Sequence, residues 1–339
     1  MRSIPAQIKS YAPGFALALI IALLAKGIEA LLPFDVIGAS VIAMFIGMLI
    51  NGYRKPGKTT APGVKFTAKK ILKFAIILLG ASLNVTTILN VGRMSLTVML
   101  FTLLTCFGGG YFIGRALGLD WKLSNLISAG TGICGGSAIA AVAPVIDAKD
   151  SDIAYALSAT FLFDMAMIVL FPIMGRAMGL SDMAYGLWTG TAVNDTSSVV
   201  AAGYAFSEGA GDFATMVKLT RTLAIIPITL VLAFVRTKRA KTDGTKVDLK
   251  KIFPMFILYF LLASVITTIC VSAGVSASVF TPLKTLSKFL IVMAMCAVGL
   301  NTNIVKLVRT GGKPLIMGFC CWVGIAGMSL LMQHVLGIW

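Results

Sequence analysis

Long apolar runs follow one another through most of this chain, and each is long enough to cross a hydrocarbon layer. Eleven can be delimited, near 11–30, 35–53, 70–88, 93–116, 122–146, 152–175, 183–205, 213–235, 252–273, 282–301 and 314–337. A bilayer core of about 30 Å needs roughly 20 apolar residues in a helix. Lipid offers no water to unpaired backbone groups, so only helices and closed barrels span it. The strict alternation of barrel strands is absent. The fold predicted is an all-α polytopic membrane protein with about eleven transmembrane segments. Residues 1–339 read as a single transmembrane transporter domain, since no polar block is long enough to fold apart. Charged residues make up 12% of the chain, about half of what a soluble domain carries.

The formal charge of +16 is concentrated in two loops. Residues 51–70 hold Arg54, Lys55, Lys58, Lys65, Lys69 and Lys70 without an acid. Residues 236–251 hold Arg236, Lys238, Arg239, Lys241, Lys246, Lys250 and Lys251 against Asp243 and Asp248. Basic loops of this kind stay in the cytoplasm. Eleven crossings put both loops inside, together with Arg2, Lys9, Lys306, Arg309 and Lys313, and leave Trp339 outside. The localisation predicted is the bacterial inner membrane, multi-pass, with a cytoplasmic N-terminus. A nucleic-acid partner would need a folded basic face with base-reading residues, and none is visible.

Two segments in the middle of the chain break the apolar pattern. Gly130, Thr131, Gly132, Cys134, Gly135, Gly136 and Ser137 interrupt one run. Gly190, Thr191, Asn194, Asp195, Thr196, Ser197 and Ser198 interrupt another, sixty residues later. Aligned, Gly130 falls on Gly190, Thr131 on Thr191 and Ser137 on Ser197. Glycine, serine, threonine and asparagine are poor in helix interiors. The backbone they would free is tolerated at membrane depth only beside protein or water. Two such interruptions are the sequence sign of a transporter binding site built from discontinuous helices, broken or re-entrant. Glycine-mediated helix packing is the blander reading of the first segment.

A second similarity, Lys73–Asn84 with Lys288–Asn301, joins segments seven apart that would cross in opposite directions. Opposed copies give the chain inverted-repeat character. The two central segments would instead run parallel, which a simple inversion does not explain. Asn84 and Asn301 themselves read as helix ends or packing groups.

Ionisable residues at membrane depth are functional candidates by default. Asp195, among Asn194, Thr196, Ser197 and Ser198, suits a coupling cation or a proton; its structural alternative is a helix N-cap. Asp164, in an apolar setting, reads equally as a proton carrier or as the partner of Lys218 or Arg221. Those two cations lie three apart, on one helix face. Both could attract or bind an anion, Arg221 being suited to oxyanion forks; the alternative is that they snorkel to the membrane edge, which would do for Lys218 but less for the deeper Arg221. Free N–H groups near Ser137 and Ser197, with the hydroxyls of Thr131, Ser137, Thr191 and Ser197, would hold an oxyanion at two facing helix N-termini.

The six cysteines lie in or beside apolar runs, which argues against a disulfide framework. No ligand spacing suggests a metal, and no cofactor motif is present. Cys134 has no base near it in sequence, and the lone His334 is far away, so an enzyme is not expected. A receptor or scaffold would need an output domain, which no stretch provides.

Five stretches, Leu78–Gly80, Gly130–Ala140, Gly190–Ser197, Val217–Arg221 and Ala297–Leu300, resemble the bacterial family of proposed sulfate exporters, the YeiH-like membrane proteins. That family looks related to the cation/proton antiporter and anion transporter group. The resemblance implies a core with two crossed, broken helices moving against a scaffold. The function expected is secondary transport of a small anion, sulfate or a related oxyanion, coupled to Na+ or H+. A cation/proton antiporter on the same scaffold is the alternative. The partners implied are the anion, the coupling ion and the lipid bilayer, with homo-oligomer formation left open.

Overall fold

The computed structural model describes residues 4–31, 39–240, 255–302 and 312–338. Arg2, most of the second basic loop (241–251), Lys306, Arg309 and Trp339 lie outside the described residues. All regular structure among the described residues is helical. The elements are α1 (Ile4–Leu31), α2 (Ala39–Tyr53), α3 (Ala61–Phe66), α4 (Leu72–Gly80), α5 (Val85–Ala116), α6 (Trp121–Ala129), α7 (Gly136–Ile146), α8 (Asp150–Ala177), α9 (Asp182–Ala192), α10 (Thr196–Phe206), α11 (Glu208–Thr222), α12 (Ile225–Ala240), α13 (Met255–Ser272), α14 (Thr281–Asn301) and α15 (Lys313–Val335). A π-helical turn, Thr67–Ile71, joins α3 to α4, and a second, Gly130–Cys134, follows α6.

Seven stretches are long and apolar enough to cross a membrane: Ser10–Leu31, Val85–Ala116, Ser151–Ala177, Glu208–Arg236, Met255–Ser272, Ala277–Asn301 and Lys313–Val335. The other four apolar runs, near 35–53, 70–88, 122–146 and 183–205, fall on shorter or interrupted helices. Large apolar side chains face outward on the long helices, among them Leu104, Phe112, Phe234 and Ile269. Such a surface suits lipid rather than water.

The chain divides into two compact units. One lies within Met1–Asn90 and Met255–Val305, the other within Val91–Pro254 and Lys306–Trp339. In the first unit α14 packs against α2 and α4. Glycines permit close approaches of α14 to α2 and of α4 to α13: a Cβ on Gly299 would stand 2.0 Å from the Met44 carbonyl oxygen, and one on Gly80 would stand 2.4 Å from that of Phe260. These two glycines belong to the two similar segments, and each segment meets a neighbouring helix through its glycine. Carbonyls left free where α4 ends are taken up by α13: Thr267 Oγ1 donates to Ala81 O (2.7 Å) and Ser264 Oγ to Leu83 O (2.9 Å). Asn84 Oδ1 accepts from the Thr86 amide (2.8 Å) at the start of α5, and Asn301 Nδ2 donates to Ala297 O (3.0 Å) in its own helix. Both asparagines therefore serve helix ends.

The second unit has an aromatic and aliphatic core. Phe171 stacks on Trp188 at 4.0 Å and Tyr185 on Phe206 at 3.9 Å. Tyr185 Oη donates to Ala202 O (3.0 Å), tying α9 to α10. Ser181 and Ser207 cap α9 and α11 through Ala184 N and Ala210 N, with Asp182 and Glu208 in the first turns. Helix α11 packs against both α9 and α10. A Cβ on Gly190 would come within 2.7 Å of Val217 Cβ, so only glycine lets α11 lie this close to α9. Helix α7 ends at Asp147 in the left-handed conformation, and the Asp147 carboxylate lies 3.9 Å from Lys122 Nζ and 3.8 Å from an Arg236 terminal nitrogen.

Candidate functional site

Two helix interruptions meet inside the second unit. In the first, α6 widens into the π turn Gly130–Cys134, closed by the Gly135 amide donating to Gly130 O at 2.9 Å. Gly135 then adopts φ 66° and ψ −135°, a conformation open in practice only to glycine. Helix α7 starts at Gly136 with no side-chain cap. In the second, α9 stops at Ala192; Val193 and Asp195 are extended and α10 starts at Thr196. The interruptions touch: a Cβ on Gly135 would stand 3.0 Å from Asp195 Cβ and from its Oδ1.

A broken helix frees carbonyls on one side and amides on the other. The freed carbonyls meet two cations from α11, where Lys218 and Arg221 share a face three residues apart. Lys218 Nζ donates to Ile133 O (2.8 Å), Val193 O (3.0 Å) and, in a closer contact, Asn194 O. Arg221 Nε donates to Ile133 O (2.8 Å), and its terminal nitrogens donate to Val193 O (2.8 Å), Thr131 O (3.4 Å) and Thr191 O. Neither side chain is exposed at all. Lys218 does not snorkel, and Arg221 directs its guanidinium at main chain.

The freed amides meet two carboxylates. Asp164 on α8, fully buried, accepts from Asn194 N and Asp195 N through Oδ1, both at 3.1 Å. Asp195 caps α10: its Oδ2 accepts from Ser197 N (2.9 Å) and from Ser197 Oγ. Two positive and two negative groups thus surround the interruptions, and each is bonded to main chain. Asp164 does not pair directly with Lys218 or Arg221. Asp164 Oδ2, Asn194 Oδ1 and Thr189 Oγ1 are buried without a partner, an unusual density of unsatisfied polar atoms for a protein interior.

The residues singled out in the sequence divide by exposure. Gly130, Thr131, Gly132, Cys134, Gly135, Gly190, Thr191, Asn194, Ser197 and Ser198 are buried. Gly136, Asp195 and Thr196 are partly exposed and Ser137 is exposed. Two of the hydroxyls expected at an oxyanion are engaged elsewhere. Thr191 Oγ1 donates to Leu187 O (2.6 Å) and contacts Ser329 Oγ (2.6 Å), while Ser197 Oγ donates to Asp195.

Several contacts at this site were not read from the sequence. Lys218 was legible as a companion of Arg221 but not as a ligand of both interruptions. Thr160 accepts from Asn194 Nδ2 through its carbonyl (3.4 Å), and Ser329 on α15 reaches Thr191. Polar residues inside an apolar run, Ser329 and Gln333, were the available signal for α15.

The family model described as Conserved hypothetical protein 698 matches residues 13–318. A UPF0324 membrane protein of Clostridium tetani is 48% identical over 97% of this chain and 99% of its own. One of Streptococcus mutans is 50% identical over 90% of this chain and 92% of its own, and one of Streptococcus pyogenes serotype M6 is 49% identical over 96% and 98%. With apolar helices long enough for several crossings and relatives of this likeness along its length, the chain belongs to the UPF0324 family of multi-pass membrane proteins, the family to which its motif stretches pointed.

Proposed function

We propose that this protein is a secondary transporter of a small anion, sulfate or a related oxyanion, with its substrate held where the two interrupted helices meet. One observation carries the reading. The carbonyl ends of both interruptions are compensated by fixed cations, while the N-terminal end of α7 is uncapped and reaches the surface at Gly136 and Ser137, directly after Gly135, which stands against Asp195. A helix N-terminus carries roughly half a positive charge and offers N–H donors, which favours an anion. Discontinuous helices with this division of ends are the transporter pattern. Arg221 acts here by balancing the carbonyls around the anion rather than by gripping it.

Asp164 and Asp195 would carry the coupling charge. Asp164 Oδ2 is buried without a hydrogen-bond partner, so a proton taken up there would not displace an existing bond. The topology that goes with this reading has eleven crossings, in which the four shorter or interrupted runs also span. It has an N-terminus in the cytoplasm of a bacterial inner membrane and an inverted repeat relating Lys73–Asn84 to Lys288–Asn301. A cation/proton antiporter fits less well, because the carbonyls that would bind the cation already hold Lys218 and Arg221.

Purified protein in proteoliposomes tests the proposal. Flux of labelled sulfate and of small organic anions should depend on a proton gradient. Asp195→Asn keeps the side chain's size and capping oxygen but removes its charge, so it should cut flux while leaving Tm near that of the unaltered protein. Cation–proton exchange without flux of any anion would refute the reading.

A further inference from the structure

Lys218 is bonded like an ion in a coordination site. Its ammonium takes one carbonyl oxygen from the first interruption, Ile133, and two from the second, Val193 and Asn194. All three of its donors are used. Carbonyl oxygens at unwound helix ends are the ligands with which transporters of broken-helix design bind an exchangeable sodium ion. Asp164 and Asp195 bond to the same second interruption, as carboxylates do near a bound cation. The charge count closes only with Lys218 included: two cations, Lys218 and Arg221, face two acids, Asp164 and Asp195.

We propose that Lys218 is a tethered cation that permanently fills an alkali-ion position between the two interruptions, so that the core of this protein takes up no sodium. The inference rests on reading the interruptions as a transport core and makes that reading more specific, because it excludes sodium as the coupling ion there. The ammonium cannot leave, since α11 is packed against α9 and α10 through the close approaches at Gly190 and Gly203. Arg221 shares Ile133 O and Val193 O with Lys218, so it would keep those oxygens facing inward after Lys218 is removed. Removal leaves a hole lined by oxygens and short of one positive charge. A sodium ion matches that hole, and an apolar side chain of similar length fills it without the charge.

Two variants of the full chain in detergent distinguish these cases. Lys218→Ser opens the position and adds a hydroxyl oxygen; Lys218→Met fills it with an uncharged stem. Tm is followed as NaCl replaces choline chloride at constant ionic strength. The unaltered protein should show no sodium-specific change, K218S a saturable rise of several degrees, and K218M none. Saturable stabilisation of the unaltered protein by sodium overturns the proposal. So does a folded K218S that ignores sodium, or a K218M that responds as K218S does. Should K218S be fragile, its recovery is the measurement: monodisperse protein when purified in sodium and aggregate in choline supports the proposal, and aggregate in both overturns it. None of these readouts requires anion flux, so a failure of the transport assay would leave the sodium result standing by itself.

Discussion

Replacing Arg221 by alanine is the perturbation whose cost the structure defines best. The guanidinium serves four carbonyls. Two of them, Ile133 O and Val193 O, retain Lys218 as a donor. The other two, Thr131 O and Thr191 O, lose the donor that Arg221 supplied, in a region closed to solvent. Leaving a buried acceptor unpaired costs about 1–3 kcal/mol, so the pair should cost about 2–6 kcal/mol before any loss of charge balance with Asp164 and Asp195. For a chain of this size about 2 °C of Tm corresponds to each kcal/mol, which gives a drop of about 4–12 °C. Arg221→Lys should recover only part of it, because a point-like ammonium cannot reproduce the planar fork. Thermal unfolding of purified protein, read by thiol labelling of buried cysteines such as Cys134 and Cys296, supplies the measurement, with exposed Arg115→Ala as the control. If R221A unfolds within a degree of the unaltered protein while R115A does too, the two carbonyls are satisfied by other means and the reasoning fails.

Gly135→Ala meets both a backbone conformation that L residues avoid and Asp195 at 3.0 Å, so it should cost about 1–3 kcal/mol or more; equal Tm for G135A and the original protein would show that the interruption relaxes freely. Asp164→Asn keeps an oxygen that can accept from Asn194 N and Asp195 N but cannot take up and release a proton. It should make anion flux independent of a proton gradient, and flux with undiminished proton dependence would remove Asp164 from the coupling step. A cysteine placed at Thr60, in a background without native cysteines, should react with an impermeant maleimide only from the cytoplasmic side; labelling of intact cells from outside would reverse the proposed topology.

What the sequence determined by itself is the part governed by solvent. Apolar runs of this length, and only 12% charged residues, compel helices in a bilayer, because lipid cannot satisfy backbone groups that a helix leaves free. The glycine- and serine-rich stretches at 130–137 and 190–198 were legible for the same reason: they are poor helix, and they stand where helix is otherwise obligatory. The cap at Asp195 was legible too, since an acid followed by Thr196 and Ser197 at the head of an apolar run has a local hydrogen bond available. The bonding partners of the buried charges were not. Sequence spacing puts Lys218 and Arg221 on one helix face but says nothing of what that face meets. Tertiary packing set α11 against α9 and α10, and so aimed both cations at carbonyls 85 to 90 residues earlier in the first interruption and 24 to 30 residues earlier in the second. It also turned Asp164 toward the amides of Asn194 and Asp195 rather than toward a basic side chain. In a medium without water, a buried charge bonds to whichever unsatisfied group packing brings within reach, and only the folded chain decides which group that is.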